Sequence, residues 1–174
     1  MIITANTSKE EILKLGARCE RDNHCCHYST GFLAEDDLGN IAHHLGITEQ
    51  KLREQYLREE RIFNKTALRP KIVAEGKPYG RCVFLDEQRG CTIHEVKPMQ
   101  CKVSTCSHLG PDILQWFYLT YFVDASEPES LRQFAQFIKF HQPIPGASMA
   151  ELVPDKEELR KILAYERFKV KGDE

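Results

Sequence analysis

Residues 80–106 read GRCVFLDEQRGCTIHEVKPMQCKVSTC and hold four of the seven cysteines: Cys82, Cys91, Cys101 and Cys106. The other three, Cys19, Cys25 and Cys26, sit in one earlier run, RCERDNHCC, at residues 18–26. About 55 residues separate Cys26 from Cys82, and the last third of the chain has no cysteine. Core thiols occur singly more often than in bunches, so this pattern predicts a site made by folding two loops together.

Around the second run, Pro70, Gly76, Pro78 and Gly80 break the chain into short extended pieces. Residues 71–74 and 81–85 are strand candidates, and DEQRG at 86–90 is a turn into a third short strand over 91–94. Pro98 favours a turn or short helix leading to Cys101. This small ribbon has helical segments on both sides. Thr7 or Ser8 with Glu10 and Glu11 opens a helix over about 9–18, and Leu38, Ile41, Ala42 and Leu45 recur at helical spacing. Gly46 is placed to end that second helix, and Thr48 to cap a third, running from 49 to about 60. The second and third would form a helical hairpin. Pro111 and Asp112 then start an apolar helix over 113–123, which contains Trp116. Ser126 and Glu129 suggest a capping box for a helix to about 140, residues 141–149 read as a loop, and Pro154 with Asp155 opens a last helix. The predicted fold is mainly α, a small α+β domain with a short cysteine-bearing β ribbon. At 174 residues we expect a single domain over 1–174, with a cysteine-cluster core at 19–106 and C-terminal helices at 111–170 packed on it.

A net charge of −2 provides no basic field for phosphate backbones, so no nucleic-acid partner is expected. The longest apolar run, 113–123, is too short to span a bilayer and is interrupted by Gln115, Tyr118, Thr120 and Tyr121, so no membrane association is expected. MIITANTSKEEILK has no basic start followed by an apolar run and a cleavage site, which points to the cytoplasm. Thiols stay reduced there, and cysteine-rich patterns turn from disulfides toward metal or redox chemistry.

Thiolates need nearby positive charge, and a bound metal ion supplies it while cross-linking the loops. The spacings are C-x5-C-C and C-x8-C-x9-C-x4-C, with Asp22 midway through the first. They match neither a zinc ribbon, nor a Cys2His2 finger, nor a bacterial ferredoxin. Adjacent side chains diverge, so Cys25 and Cys26 are expected to serve different metals or different irons. The bare chemistry stops at a thiolate-rich metal site. No Ser-His-Asp order, phosphate-cradling glycine loop or HExxH motif is present, so no catalytic residue is assigned.

At these residues the chain resembles the CxxCxxCC, or YkgJ-like, cysteine cluster family, a zinc- or iron-chelating domain. In that family an N-terminal C-x2-C-x2-C-C is followed by C-x-F-L and then by C-x-I-Y-E-x-R-P-x-x-C. Cys19, Cys25 and Cys26 match three of the first four cysteines, and Asp22 stands where the second would be. Cys82-Val83-Phe84-Leu85 matches the middle element, and residues 91–101 match the last, with His94 for tyrosine and Lys97 for arginine. The aromatic-proline pair that often follows is replaced by Val103-Ser104-Thr105, and Cys106 is an additional thiol. The resemblance covers about 19–101.

It implies a metal-binding protein holding zinc or iron, an iron-sulfur cluster being one form, through Cys19, Cys25, Cys26, Cys82, Cys91 and Cys101; Cys106, which has no counterpart in the family, or Asp22 is expected to restore the ligand count. Asp22, His94, His24 and His27 are weaker ligand candidates, and Lys97 could offset thiolate charge. The rivals are an iron-sulfur redox protein or enzyme, since larger relatives such as flagellin lysine methylases share a similar pattern, and a thiol-based redox sensor using Cys25 and Cys26. The partner is expected to be a protein or small molecule whose identity the sequence does not name.

Overall fold

The computed structural model describes residues 2–18 and 22–168. Four helices come first: α1 (Lys9–Gly16), α2 (His24–Tyr28), α3 (Asp37–Leu45) and α4 (Glu49–Tyr56). Six short strands follow, β1 (Leu57–Ile62), β2 (Lys65–Pro70), β3 (Ile72–Val73), β4 (Arg81–Cys82), β5 (Leu85–Asp86) and β6 (Gly90–Cys91). After a 3-10 turn at His94–Val96 come α5 (Met99–Val103), α6 (Gly110–Tyr121), α7 (Pro128–Phe137), α8 (Met149–Leu152) and α9 (Lys156–Leu163). The fold is mainly α with three two-stranded sheets among the described residues, as the sequence predicts. No helix is long and apolar enough to cross a membrane among the described residues.

The chain divides into two compact units, one of residues 13–60 and 66–105, the other of 1–12, 61–65 and 106–174. In the first, α3 and α4 form the expected hairpin. Gly46 adopts φ 64° and donates its N–H to the carbonyls of Ala42 and His43, and Thr48 Oγ1 accepts from Lys51 N–H. A left-handed residue at that junction closes the helix at little steric cost, which is why glycine stands there. The apolar faces of this hairpin, Ile41, Ala42 and Leu52, meet Leu57, Phe84, Leu85 and Ile93 in one core that also includes Cys82. Cys26 and Cys91 pack against its edge, so the thiols lie on the hydrophobic base that holds the ribbon. Tyr56 stacks on Phe84 at 5.4 Å within it.

The expected helix from 49 to 60 ends four residues early. Leu57–Ile62 is a strand, although its Arg-Glu-Glu-Arg segment is made of good helix formers. Pairing with β2 prevails, around a tight turn at Phe63 and Asn64, both with positive φ. That geometry is the two-residue turn whose twist suits a hairpin. Cys82 pairs with Ile72 and Cys91 with Leu85, and His94 lies on the 3-10 turn, not opposite Cys82 as a simple hairpin would have it.

In the second unit α6 is the expected buried helix, with Ile113, Gln115, Trp116 and Phe117 inward. Trp116 Nε1 donates to the Thr7 carbonyl at 2.8 Å, and Gln115 bridges the Gln142 carbonyl and the Ile144 N–H. Phe63, at the hairpin tip, meets Tyr118, Phe134 and Phe137 edge-on. Glu127, not Ser126, caps α7: its carboxylate accepts from the N–H groups of Glu129 and Ser130. Ser126 instead donates to Asp124 at 2.6 Å.

Candidate metal centre

Two of the cysteines lie on α2, a five-residue turn that packs against β4. Asn23 leads into it with φ 59°, a left-handed conformation that asparagine tolerates. Gly90, at φ 76°, comes so close that an added Cβ would sit 3.2 Å from the Asn23 side chain. Asn23, at the entry to α2, and Gly90, at the start of β6, therefore meet. Cys82 is buried at the end of β4, Cys91 is half-buried on β6, and Cys101 is half-buried in α5.

The fold brings Cys25, Cys26, Cys82, Cys91 and Cys101 within electrostatic reach of one another, although the chain separates the first two from the last by about 75 residues. Each shift has a physical cause. The Cys26 thiol donates a hydrogen bond to Cys25 and, against burial and the nearby charge of Asp22, lowers Cys25 to about 6. The same bond raises Cys26, with burial and the charges of Cys25, Cys101 and Cys91 adding to it. Burial pushes Cys82 up to about 11; the Phe84 amide and Arg69 oppose it. Cys91 is raised by burial, against the Ile93 amide and Lys97. Burial, then the charges of Cys82 and Cys25, push Cys101 up to about 12 against the Gly31 amide. Without a cation the cluster resists ionisation at most of its members. A metal ion reverses that logic, because a coordinated thiol is deprotonated outright.

Three sulfurs accept main-chain N–H groups: Cys82 from Phe84, Cys91 from Ile93, and Cys101 from Gly31. The first two come from two residues downstream, in the turns that follow β4 and β6. The third comes from the far side of the chain and requires glycine. A Cβ at Gly31 would lie 2.5 Å from Cys101 Sγ. Hydrogen bonds to sulfur stabilise thiolate charge and tune metal-thiolate centres. Arg69 holds the Gly31 segment from behind. Its Nε donates to Thr30 Oγ1 at 2.9 Å, it also donates to the Thr30 carbonyl, and its guanidinium lies 4.5 Å over the Phe32 ring. Glu60 pairs with it at 3.2 Å.

Cys19 lies outside the described residues. Among the described ones, no three His, Cys, Asp or Glu side chains form a group that could hold a metal ion. Cys106 is exposed and belongs to the other unit. Asp22 is exposed, and its Oδ1 accepts the His24 N–H at 3.0 Å, so the carboxylate shapes the entry to α2. His24 packs its ring on Tyr28 at 5.2 Å, and His27 is exposed. Cys25 and Cys26 lie close enough for the Cys26 thiol to hydrogen-bond to Cys25. The donor set is what zinc or iron favours: soft thiolates gathered from separate segments, amide donors on the sulfurs, and Arg69 and Lys97 to offset charge.

A family profile described as "putative zinc- or iron-chelating domain" matches residues 18–127. The chain belongs to this CxxCxxCC family. The match runs beyond the 19–101 visible in the cysteine motifs, taking in all seven cysteines and α6, so the family pattern includes part of the C-terminal helices. Membership supports metal binding by this chain. Comparison with curated proteins and with solved structures finds no match.

Gly31 and Arg69 escaped the sequence reading. Neither Gly31, after Ser29-Thr30, nor Arg69, before Pro70, belongs to a motif that singles it out. The strand at β2 turns Arg69 inward.

Proposed function

We propose that this chain is a cytoplasmic zinc- or iron-holding protein whose metal is bound by Cys25, Cys26, Cys82, Cys91 and Cys101, with Cys19 as a further ligand. The observation that carries the reading is that Cys26, Cys82 and Cys91 share one hydrophobic base with Cys25 and Cys101 within electrostatic reach, and that Cys82, Cys91 and Cys101 receive main-chain N–H groups. Ligands that must be deprotonated are expensive to gather without a cation, so metal binding and folding of this unit are coupled. The metal would act as a cross-link between α2 and the ribbon. It would also leave the exposed edge at α2 as the face that meets a protein or small-molecule partner.

The test is metal and acid-labile sulfide content of protein purified without oxygen and without a histidine tag. Zinc with no sulfide makes the centre structural or zinc-handling. Iron with matching sulfide makes it a cluster and moves the function to redox chemistry or an enzyme. Protein that holds neither, and gains none on incubation with zinc or iron and sulfide, defeats the proposal.

A second reading rests on Cys25, lowered to about 6 beside a protonated neighbour. Such a pair suits a thiol redox sensor. Reversible oxidation of Cys25 and Cys26 with no loss of metal supports it; thiols that react only after chelation count against it.

A further inference from the structure

Asp37 is the most enclosed carboxylate among the described residues, 1% exposed. Its Oδ2 accepts two main-chain N–H groups, from Ala34 at 2.9 Å and from Met99 at 2.5 Å. Its Oδ1 takes Lys102 Nζ at 2.6 Å. Those partners come from two segments: the loop between α2 and α3, and the start of α5, whose own N-cap residue Pro98 supplies no side-chain cap. Asp37 thus caps a helix about sixty residues away in the chain. Gln100 adds a second tie: its Oε1 accepts the Phe32 N–H at 2.7 Å, and its own N–H reaches the Phe32 carbonyl. The outcome of both ties is the approach of Gly31 to Cys101, where an added Cβ would be 3.0 Å from the Cys101 nitrogen and 2.5 Å from its sulfur.

We propose that Asp37 is the positioning residue for Cys101: it fixes the loop and α5 in the register at which the Gly31 amide reaches the Cys101 sulfur and aims it at the metal. The metal part rests on the function proposed above; the register does not. A buried carboxylate accepting two amides and one ammonium is fully matched, and removing either charge leaves the other enclosed without its counterpart. Loss of Asp37 therefore frees the α5 turn first. It should expose Cys101 more than Cys91, which is held by its own ribbon and the Ile93 amide. In Asp37→Asn/Lys102→Gln, an amide oxygen can still take both N–H groups and no unmatched charge remains.

The experiment is alkylation of each cysteine by iodoacetamide, resolved by peptide mass spectrometry, on metal-free and zinc-incubated full chain. We expect the Cys101-to-Cys91 rate ratio to rise about tenfold or more in Asp37→Ala, and to return toward wild type in Asp37→Asn/Lys102→Gln but not in Asp37→Ala/Lys102→Gln. If Asp37→Ala does not fold, Asp37→Ala/Lys102→Gln set against Asp37→Asn/Lys102→Gln carries the comparison, since only the first lacks the acceptor and neither leaves an unmatched charge. An unchanged ratio, an equal rise at Cys82, Cys91 and Cys101, or no difference between the two double variants overturns the proposal. Zinc should protect Cys101 in wild type and fail to in Asp37→Ala. If zinc protects no thiol in wild type, the metal reading fails, while the ratio in metal-free protein still decides the role of Asp37.

Discussion

Gly31→Ala would place a methyl group 2.5 Å from Cys101 Sγ and 3.2 Å from Gln100 Cβ. Carbon and sulfur rest at about 3.5–4 Å, so an overlap of about 1 Å must be relieved by moving either Cys101 or the loop. Overpacking of that kind costs about 1–3 kcal/mol. Displacing the loop also weakens the Gly31 N–H to sulfur bond, and the total is about 2–4 kcal/mol. For a chain of this size that lowers the melting temperature by about 4–16 °C. Gly39, also in the cysteine-bearing unit, supplies the control. It lies inside α3, and an added Cβ there meets only the mobile end of Glu49, at 3.3 Å. Gly39→Ala should raise stability by about 1 kcal/mol, because glycine is a poor helix former. The assay is thermal unfolding followed by circular dichroism, on metal-free and zinc-incubated protein. Opposite signs for the two variants are expected, with the Gly31→Ala deficit larger in the presence of zinc. A melting temperature in Gly31→Ala equal to or above wild type would refute the reasoning.

Chelation, or Cys91→Ala, should sharply lower the melting temperature of protein isolated with metal, since the cross-link between α2 and the ribbon goes with it; an unchanged value in both sinks the structural role of the metal. Alkylation of Cys25 in metal-free protein should reach half its maximal rate near pH 6, because the hydrogen bond from Cys26 lowers its thiol to about 6. Half-maximal labelling near pH 9 would mean the bond does not form in solution. The opposite sign holds for Cys82 and Cys101: the fold keeps them protonated to about 11 and about 12, whereas the unfolded chain ionises them near 9.0, so metal-free protein should lose stability as pH rises above 9. Denaturant titrations at pH 8 and pH 10 with equal midpoints would contradict it. In the other unit, Trp116→Phe removes the donor to the Thr7 carbonyl and should cost about 1–2 kcal/mol by urea unfolding; a smaller loss would mean water replaces the bond.

The helices were legible where one signal dominated. Gly46 and Thr48 mark the α3–α4 junction unambiguously, since a left-handed residue and a hydroxyl cap have few substitutes. Bunched cysteines are a composition signal independent of backbone geometry; of the seven, Cys25, Cys26, Cys82, Cys91 and Cys101 come within electrostatic reach of one another, while Cys106 belongs to the other unit. Three features were not legible. Leu57–Ile62 carries helix formers and becomes a strand only through its partner β2, a tertiary effect. Phe63 at φ 47° is a turn residue that no propensity announces; the packing of its ring on Phe134 supports the strain. Gly31 and Asp37 act on a helix about sixty-five residues later, and nothing local in Ser-Thr-Gly or Asp-Leu-Gly reveals which distant backbone they serve. The capping of α7 shows the same limit on a small scale: Ser126 and Glu127 both had the chemistry, and the geometry of Pro128 selected Glu127.

The separation of the two cysteine runs in the chain has a consequence for synthesis. A ribosome adds about 5–20 residues per second, so about 3–11 s pass between the making of Cys26 and that of Cys82, and about 4–15 s before Cys101 follows. For that interval the nascent chain displays a vicinal thiol pair whose hydrophobic base, Phe84, Leu85 and Ile93, has yet to be translated. The hazard is oxidation or capture of a stray ion by the early pair. If the proposed ligand set holds, metal would have to arrive after residue 101 has emerged from the exit tunnel, with the early thiol pair kept reduced until then.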